Sequence, residues 1–219
     1  MNNRILVVFP HPDDESFGTS GTLAKRIHEE GAQVTYACLT LGEMARNMGK
    51  PLMANRITLP ELRKKELAAS CRSIGIQDVR LMGLHDKTIE FEDQKMLDGM
   101  LRNLIDELQP SLIITFYPGY SVHPDHDATG AAVVRTVSAM PKEQRPVVNC
   151  VAFSKDCEKI LGKPDVLVDV RDYLPNKFGS IKAHSSQFRW KDMLGSYTEN
   201  DEGIKKRFST ERFWTYHFE

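Results

Sequence analysis

Residues 5–15 read Ile5-Leu6-Val7-Val8-Phe9-Pro10-His11-Pro12-Asp13-Asp14-Glu15. The first five form an unbroken apolar run of strand length, the pattern of a strand buried on both faces. The run is too short for a signal-peptide core and far too short to span a bilayer. One imidazole and three carboxylates follow at its end. From Thr22 the apolar positions Leu23 and Ile27 recur at helical spacing up to Gly31, a helix stop. A buried strand, a polar loop and a helix are thus set out within the first thirty or so residues.

The same alternation continues outward. Val34–Leu39 predicts a second strand, followed by a polar stretch from Gly42 to Pro60. Leu67, Cys71 and Ile74 place an apolar stripe on a helix opened near Pro60 and closed at Gly75. Further strands are predicted at Val79–Met82, Leu112–Phe116, Val147–Phe153 and Val166–Val170, and helices at about Lys95–Leu108 and Ala128–Ala139. Apolar strands separated by helices call for an α/β, Rossmann-like three-layer fold, with a mostly parallel sheet and helices on both faces. The region Lys191–Arg212 reads as exposed loop or short helix, with Trp190, Trp214, Phe208, Phe213 and Phe218 as packing groups.

At 219 residues with 41% hydrophobic content, the chain is expected to form one domain, residues 1–219. Net charge is −1, and Lys and Arg are spread along the chain, so nucleic acid is not expected as a partner. No membrane segment or targeting signal is expected. Cys38, Cys71, Cys150 and Cys157 suit buried, reduced thiols, which points to the cytoplasm. Oligomeric state stays open, a homo-oligomer included.

In open parallel sheets ligands bind beyond the carboxyl ends of strands. Two such loops are conspicuous: Pro10–Ser16, and Pro118–Asp127 with its run His123-Pro124-Asp125-His126-Asp127. Crowding like charges is costly unless a cation neutralises them, so a metal is the economical explanation. Either cluster alone could be a polar turn or helix cap. A dinucleotide loop is rejected because Gly18 and Gly21 follow the acidic residues, whose carboxylates would repel phosphate. Imidazoles with few carboxylates and no nearby thiolate favour Zn²⁺ or a similar first-row ion over Mg²⁺ or Ca²⁺. Two His and one carboxylate would leave a position open for water, and a carboxylate beside the ion could take that water's proton.

On these residues the sequence resembles the LmbE-like, or PIG-L, family of zinc-dependent N-acetylglucosamine deacetylases, whose signatures are (A/P)HPDDE and HPDH. Pro10–Glu15 and His123–His126 match them. The resemblance extends to Gly42-Glu43, Arg63–Glu66 and the run Lys182-Ala183-His184-Ser185-Ser186-Gln187, covering roughly residues 1–190. It implies one Zn²⁺, or Fe²⁺ in its place, on His11, Asp14 and His126, with Asp13 as general base. It implies His123 as oxyanion stabiliser or acid, oriented by Asp125. Arg63 is implied as a sugar or aglycone contact, and Glu43, Tyr120 and His184 are carried over as candidate substrate contacts. Glu15 reads as a helix-start acid favoured by the dipole.

Within the family, the segment Arg46–Arg56 and the run Thr58–Leu67 resemble the deacetylases of bacillithiol biosynthesis, which act on N-acetylglucosaminyl-malate. Arg46, Arg56 and Arg63 would then meet malate carboxylates. The expected substrate is a small amino-sugar conjugate. Chitobiose and thiol S-conjugates are alternatives with the same chemistry. A metal-dependent phosphoesterase and a non-enzymatic sugar-binding module are rivals from other classes.

Overall fold

In the computed structural model, residues 3–218 are described. The apolar run lies in β1 (Arg4–Phe9), and alternation divides its side chains between two cores. Ile5, Val7 and Phe9 enter one core with Leu23, Leu67 and Ile74, while Leu6 and Val8 enter the other with Leu101, Ile105 and Val133. A strand that feeds two cores has no room for polar alternation, which is why it reads as continuous apolar sequence.

After β1 come two helices, α1 (Asp14–Gly18) and α2 (Ser20–Glu30), then β2 (Gln33–Cys38), α3 (Leu59–Ile74) and β3 (Asp78–Leu81). The chain continues through α4 (Gln94–Leu108), β4 (Leu112–Phe116), α5 (Pro124–Ser138) and β5 (Val147–Val151). It ends with α6 (Cys157–Leu161), β6 (Val166–Asp169), α7 (Leu174–Ala183), α8 (Trp190–Leu194), α9 (Glu202–Phe208) and β7 (Thr210–Thr215). The sheet is seven-stranded in the order β3-β2-β1-β4-β5-β7-β6. Pairings from β3 through β5 are parallel, and β7 is antiparallel to both of its neighbours. This is the expected α/β architecture, with α2 and α3 on one face and α4 and α5 on the other.

Two local expectations are corrected. The Ala128–Ala139 helix begins four residues earlier, at Pro124, with His123 as its N-cap; proline is well suited to a first helical turn. The second signature is therefore a helix start and not a free loop. The Lys191–Arg212 region does hold the expected short helices, α8 and α9, but they seat Leu194, Ile204 and Phe208 against Phe178, and its last residues belong to β7.

The sheet order reverses between β1 and β4, which places a crevice beyond their carboxyl ends. Both signatures emerge there. α5 approaches β4 so closely that a Cβ on Gly130 would stand 2.2 Å from the Phe116 carbonyl oxygen. Among the described residues no helix is long and apolar enough to cross a membrane.

The reversed strand is anchored by charge. Glu211 of β7 is buried, accepts from the Gly21 and Thr22 N–H groups at 3.0 and 2.7 Å, and pairs with buried Lys177 of α7 at 2.6 Å. A carboxylate at the first turn of α2 meets unpaired amides and the positive helix end. Glu211→Ala would leave a buried ammonium uncompensated, so a loss of about 3–5 kcal/mol is expected. Thermal unfolding checks it: an unchanged midpoint would show that solvent reaches Lys177.

Candidate active site

His11 leaves the end of β1 with two carboxylates against its Nε2, Asp125 Oδ2 at 3.1 Å and Asp86 Oδ1 at 3.1 Å. Nε2 is therefore the protonated nitrogen, and the Nδ1 lone pair faces the other way. It meets His126 Nε2 at 3.3 Å. The His126 ring is fixed in turn by Nδ1–H donating to the Ser121 carbonyl at 3.1 Å and by stacking on Phe116, with centroids 4.0 Å apart. Two lone pairs thus point at one another, an arrangement that calls for a cation between them. A second partner on the far nitrogen is the usual support of a metal-binding imidazole.

Asp14 closes the triangle. Its Oδ1 lies 3.2 Å from His126 Nε2 and its Oδ2 3.5 Å from His11 Nδ1. Bonds of 2.0–2.2 Å to a tetrahedral ion separate ligand atoms by about 3.3–3.6 Å, so the donors stand at the spacing such an ion requires. The electrostatics agree. Burial would lower the His11 pKa, yet hydrogen bonds to Asp125, Asp14 and Asp86 hold it well above the usual imidazole value. Burial would raise Asp14, but His126 and His11 hold it far below. A field that favours a proton here also favours a metal cation.

His123 also lies near the centre and forms a potential donor group with His11 and His126. Its tautomer argues for a different role. As N-cap of α5, its Nδ1 accepts from the Asp125 N–H at 3.1 Å, which leaves Nε2 as the proton-bearing atom. Burial and the neighbouring His11 and His126 lower its pKa, favouring the neutral ring. His123 therefore presents a donor where the other two present lone pairs.

Asp13 adopts φ 110 at the start of α1, a left-handed conformation rare for a residue with a side chain. Its N–H donates to Glu15 Oε2 at 3.1 Å, and its Oδ2 meets Arg63 Nη2 at 2.9 Å. Burial raises the Asp13 carboxyl to about 6, opposed by Arg63 and increased by Asp14. A carboxylate held near 6 beside the donor triangle is poised to take a proton near neutral pH. Arg63 is buried, donating also to the Gly42 and Pro12 carbonyls. Glycine suits position 42, where φ is 60 and an added Cβ would stand 1.6 Å from Arg63 Nη1, so that the guanidinium would have to move.

Several expected contacts fall elsewhere. Asp125 does not orient His123 through its carboxylate, which instead faces His11 and accepts from the Lys87 and Ile89 N–H groups. His184 cannot touch substrate: it is fully buried and donates to Glu15 Oε1 at 2.6 Å. Glu15 stands in the first turn of α1 as expected, and its carboxylate is fully buried, accepting also from Ser70 and Tyr36. Burial would raise its pKa, but the charge of His184 outweighs this and lowers it. Arg56 donates to the Glu43 and Ala45 carbonyls, Glu43 accepts from the Asp86 N–H, and the Tyr120 ring packs on Tyr117. Arg46 lines a separate cavity of about 330 Å³.

The cavity over His11, Asp14 and His126 has a volume of about 550 Å³ and apolar walls that include Phe17, Phe153 and Phe188. Sequence reasoning missed Asp86 and Lys87, which also line it. The loop after a third parallel strand was the signal that could have found them.

The family described as PIG-L: GlcNAc-PI de-N-acetylase matches residues 6–137. A probable N-acetyl-alpha-D-glucosaminyl L-malate deacetylase 2 of Bacillus cereus is 48% identical over 221 residues, 100% of each chain. The solved N,N'-diacetylchitobiose deacetylase from Pyrococcus horikoshii is 23% identical, with a TM-score of 0.73, covering 98% of this chain and 84% of that one. A 4-carboxy-2-hydroxymuconate hydratase from Pseudomonas putida, 16% identical, gives a TM-score of 0.74 over 99% of this chain and 97% of its own. At such identities the two solved structures share the fold, and fold alone does not fix chemistry.

The tautomers separate the histidines experimentally. His11→Ala, Asp14→Ala and His126→Ala are each expected to lower the metal content of the purified protein, whereas His123→Ala keeps it. Elemental analysis of the four variants decides: metal lost with His123 and kept without Asp14 would make the three imidazoles the ligand set.

Proposed function

This chain belongs to the PIG-L, GlcNAc-PI de-N-acetylase, family, and from that premise we propose that it hydrolyses the acetamide of N-acetylglucosaminyl-malate, releasing acetate and the free amine. The full-length relative bearing that name supports the substrate. The observation that carries the chemistry is a carboxylate, Asp13, that adjoins the donor triangle while held by Arg63 and not by the triangle itself.

His11, Asp14 and His126 would hold the ion, with zinc favoured by two imidazoles and a carboxylate. When bound, the ion supplies Lewis acidity, polarising the acetyl carbonyl and acidifying a water. Asp13 accepts the proton as the water oxygen adds to the carbonyl carbon. His123 donates from Nε2 to the oxygen on which charge develops, and that stabilisation exists only in the transition state. The C–N bond then breaks, and the nitrogen leaves as an amine carrying a proton passed on by Asp13 or His123. Apolar walls around the cavity keep other water away from these groups.

The reading takes residues 1–219 as one domain acting on a small amino-sugar conjugate. A cytoplasmic setting is supported by four buried free cysteines.

Acetate release from N-acetylglucosaminyl-malate tests this reading. Asp13→Asn is expected to keep the metal and to lower turnover by about 10²–10⁴-fold. Unchanged turnover in a metal-loaded Asp13→Asn protein, or full activity after exhaustive chelation, would overturn it.

A further inference from the structure

The cavity over the donor triangle is a difficult place for a doubly negative ligand. Asp13, Asp14 and Asp86 line it, and Asp125 lies directly behind His11. A substrate carrying two carboxylates needs a cation there beyond those already neutralised. Among the residues lining the cavity, Arg63 and Lys87 are the basic side chains besides the histidines. Arg63 is engaged with Asp13 and two backbone carbonyls.

Lys87 is different in every respect. It is exposed on the cavity rim, and among the described residues its ammonium has neither a hydrogen-bond nor an ion-pair partner. Its backbone is fixed: φ is 67, and its N–H donates to Asp125 Oδ2 at 2.7 Å. The same carboxylate holds His11 at 3.1 Å. One buried side chain therefore sets both a ligand of the triangle and the root of a free cation on the cavity rim. The arginines expected to fill this role are elsewhere, Arg56 tied to carbonyls and Arg46 lining the separate neighbouring cavity together with Lys50.

We propose that Lys87 binds a carboxylate of the substrate's aglycone and so makes the enzyme selective for acidic conjugates over the bare amino sugar. The assignment rests on the deacetylase reading above. A charge-assisted contact of this kind is available to malate and not to N-acetylglucosamine.

The experiment compares kcat/KM for N-acetylglucosaminyl-malate and for N-acetylglucosamine in the metal-loaded wild type, Lys87→Met, Lys87→Arg and, as controls, Arg46→Ala and Lys50→Ala. Lys87→Met is expected to lower the conjugate's advantage over the bare sugar by roughly 10–100-fold, mainly through KM. Lys87→Arg should keep most of that advantage. Added salt should erode it in the wild type but hardly in Lys87→Met, because screening acts on a charge pair. Equal losses on both substrates in Lys87→Met would overturn the proposal, leaving Lys87 with no part in the choice of aglycone. Selectivity that survives in Lys87→Met but falls in Arg46→Ala or Lys50→Ala would move the carboxylate site to the neighbouring cavity. A wild type that releases acetate from neither substrate is a separate result, one that overturns the activity reading and the Lys87 assignment with it.

Discussion

Carboxylates crowd the carboxyl ends of the central strands, and the structure is organised by the need to answer each negative charge where water is scarce. Glu15 is answered by His184 from just beyond α7, by Ser70 from α3 and by Tyr36 from β2. Asp13 is answered by Arg63 of α3, and Asp125 by two loop amides and His11. Removing one partner of a buried pair costs far more than the pair contributes over a neutral substitute. These obligations therefore dictate which elements must meet. The contact of α3 with α7 is a packing contact and, through Glu15, also an electrostatic necessity.

Such a frame explains why the three histidines differ. Ring chemistry is identical, but the atom opposite the centre is set by what the backbone and second carboxylates do to the other nitrogen. His11 and His126 lose one nitrogen to acceptors, and His123 loses one to a donor. The helix start that corrected the expected boundary of α5 is what makes this distinction, because as N-cap the His123 ring accepts from the first-turn Asp125 N–H. A capping requirement of local folding has become an assignment of chemical role.

Much of this was legible in the sequence because strands buried on both faces leave a near-continuous apolar trace, unbroken in the buried part of β1 and interrupted by one threonine each in the buried parts of β2 and β4. β7 was not legible: Glu211 sits buried at its second position with Arg212 beside it, and charged residues so placed mask a short strand. The donor residues were legible from type and clustering. The destinations of long side chains were not, since nothing in Arg56 or Arg63 announces that its guanidinium will bind backbone carbonyls. Asp86 and Lys87 lie in an irregular loop of common residues, and only the closing of that loop over His11 gives them significance.

The close seating of α5 on β4 at Gly130 reaches into the inorganic chemistry of the centre. His126 rides on that helix, while His11 and Asp14 come from the other side of the crevice. The gap between the two halves is thus a caliper whose jaw is set by a missing methyl group, 2.2 Å being far too little for a carbon beside a carbonyl oxygen. Opened by an ångström, the donors would no longer match an ion with bonds near 2.0–2.2 Å. The spacing of these donors is in that sense set outside the donor set, in the backbone of a residue that supplies no donor.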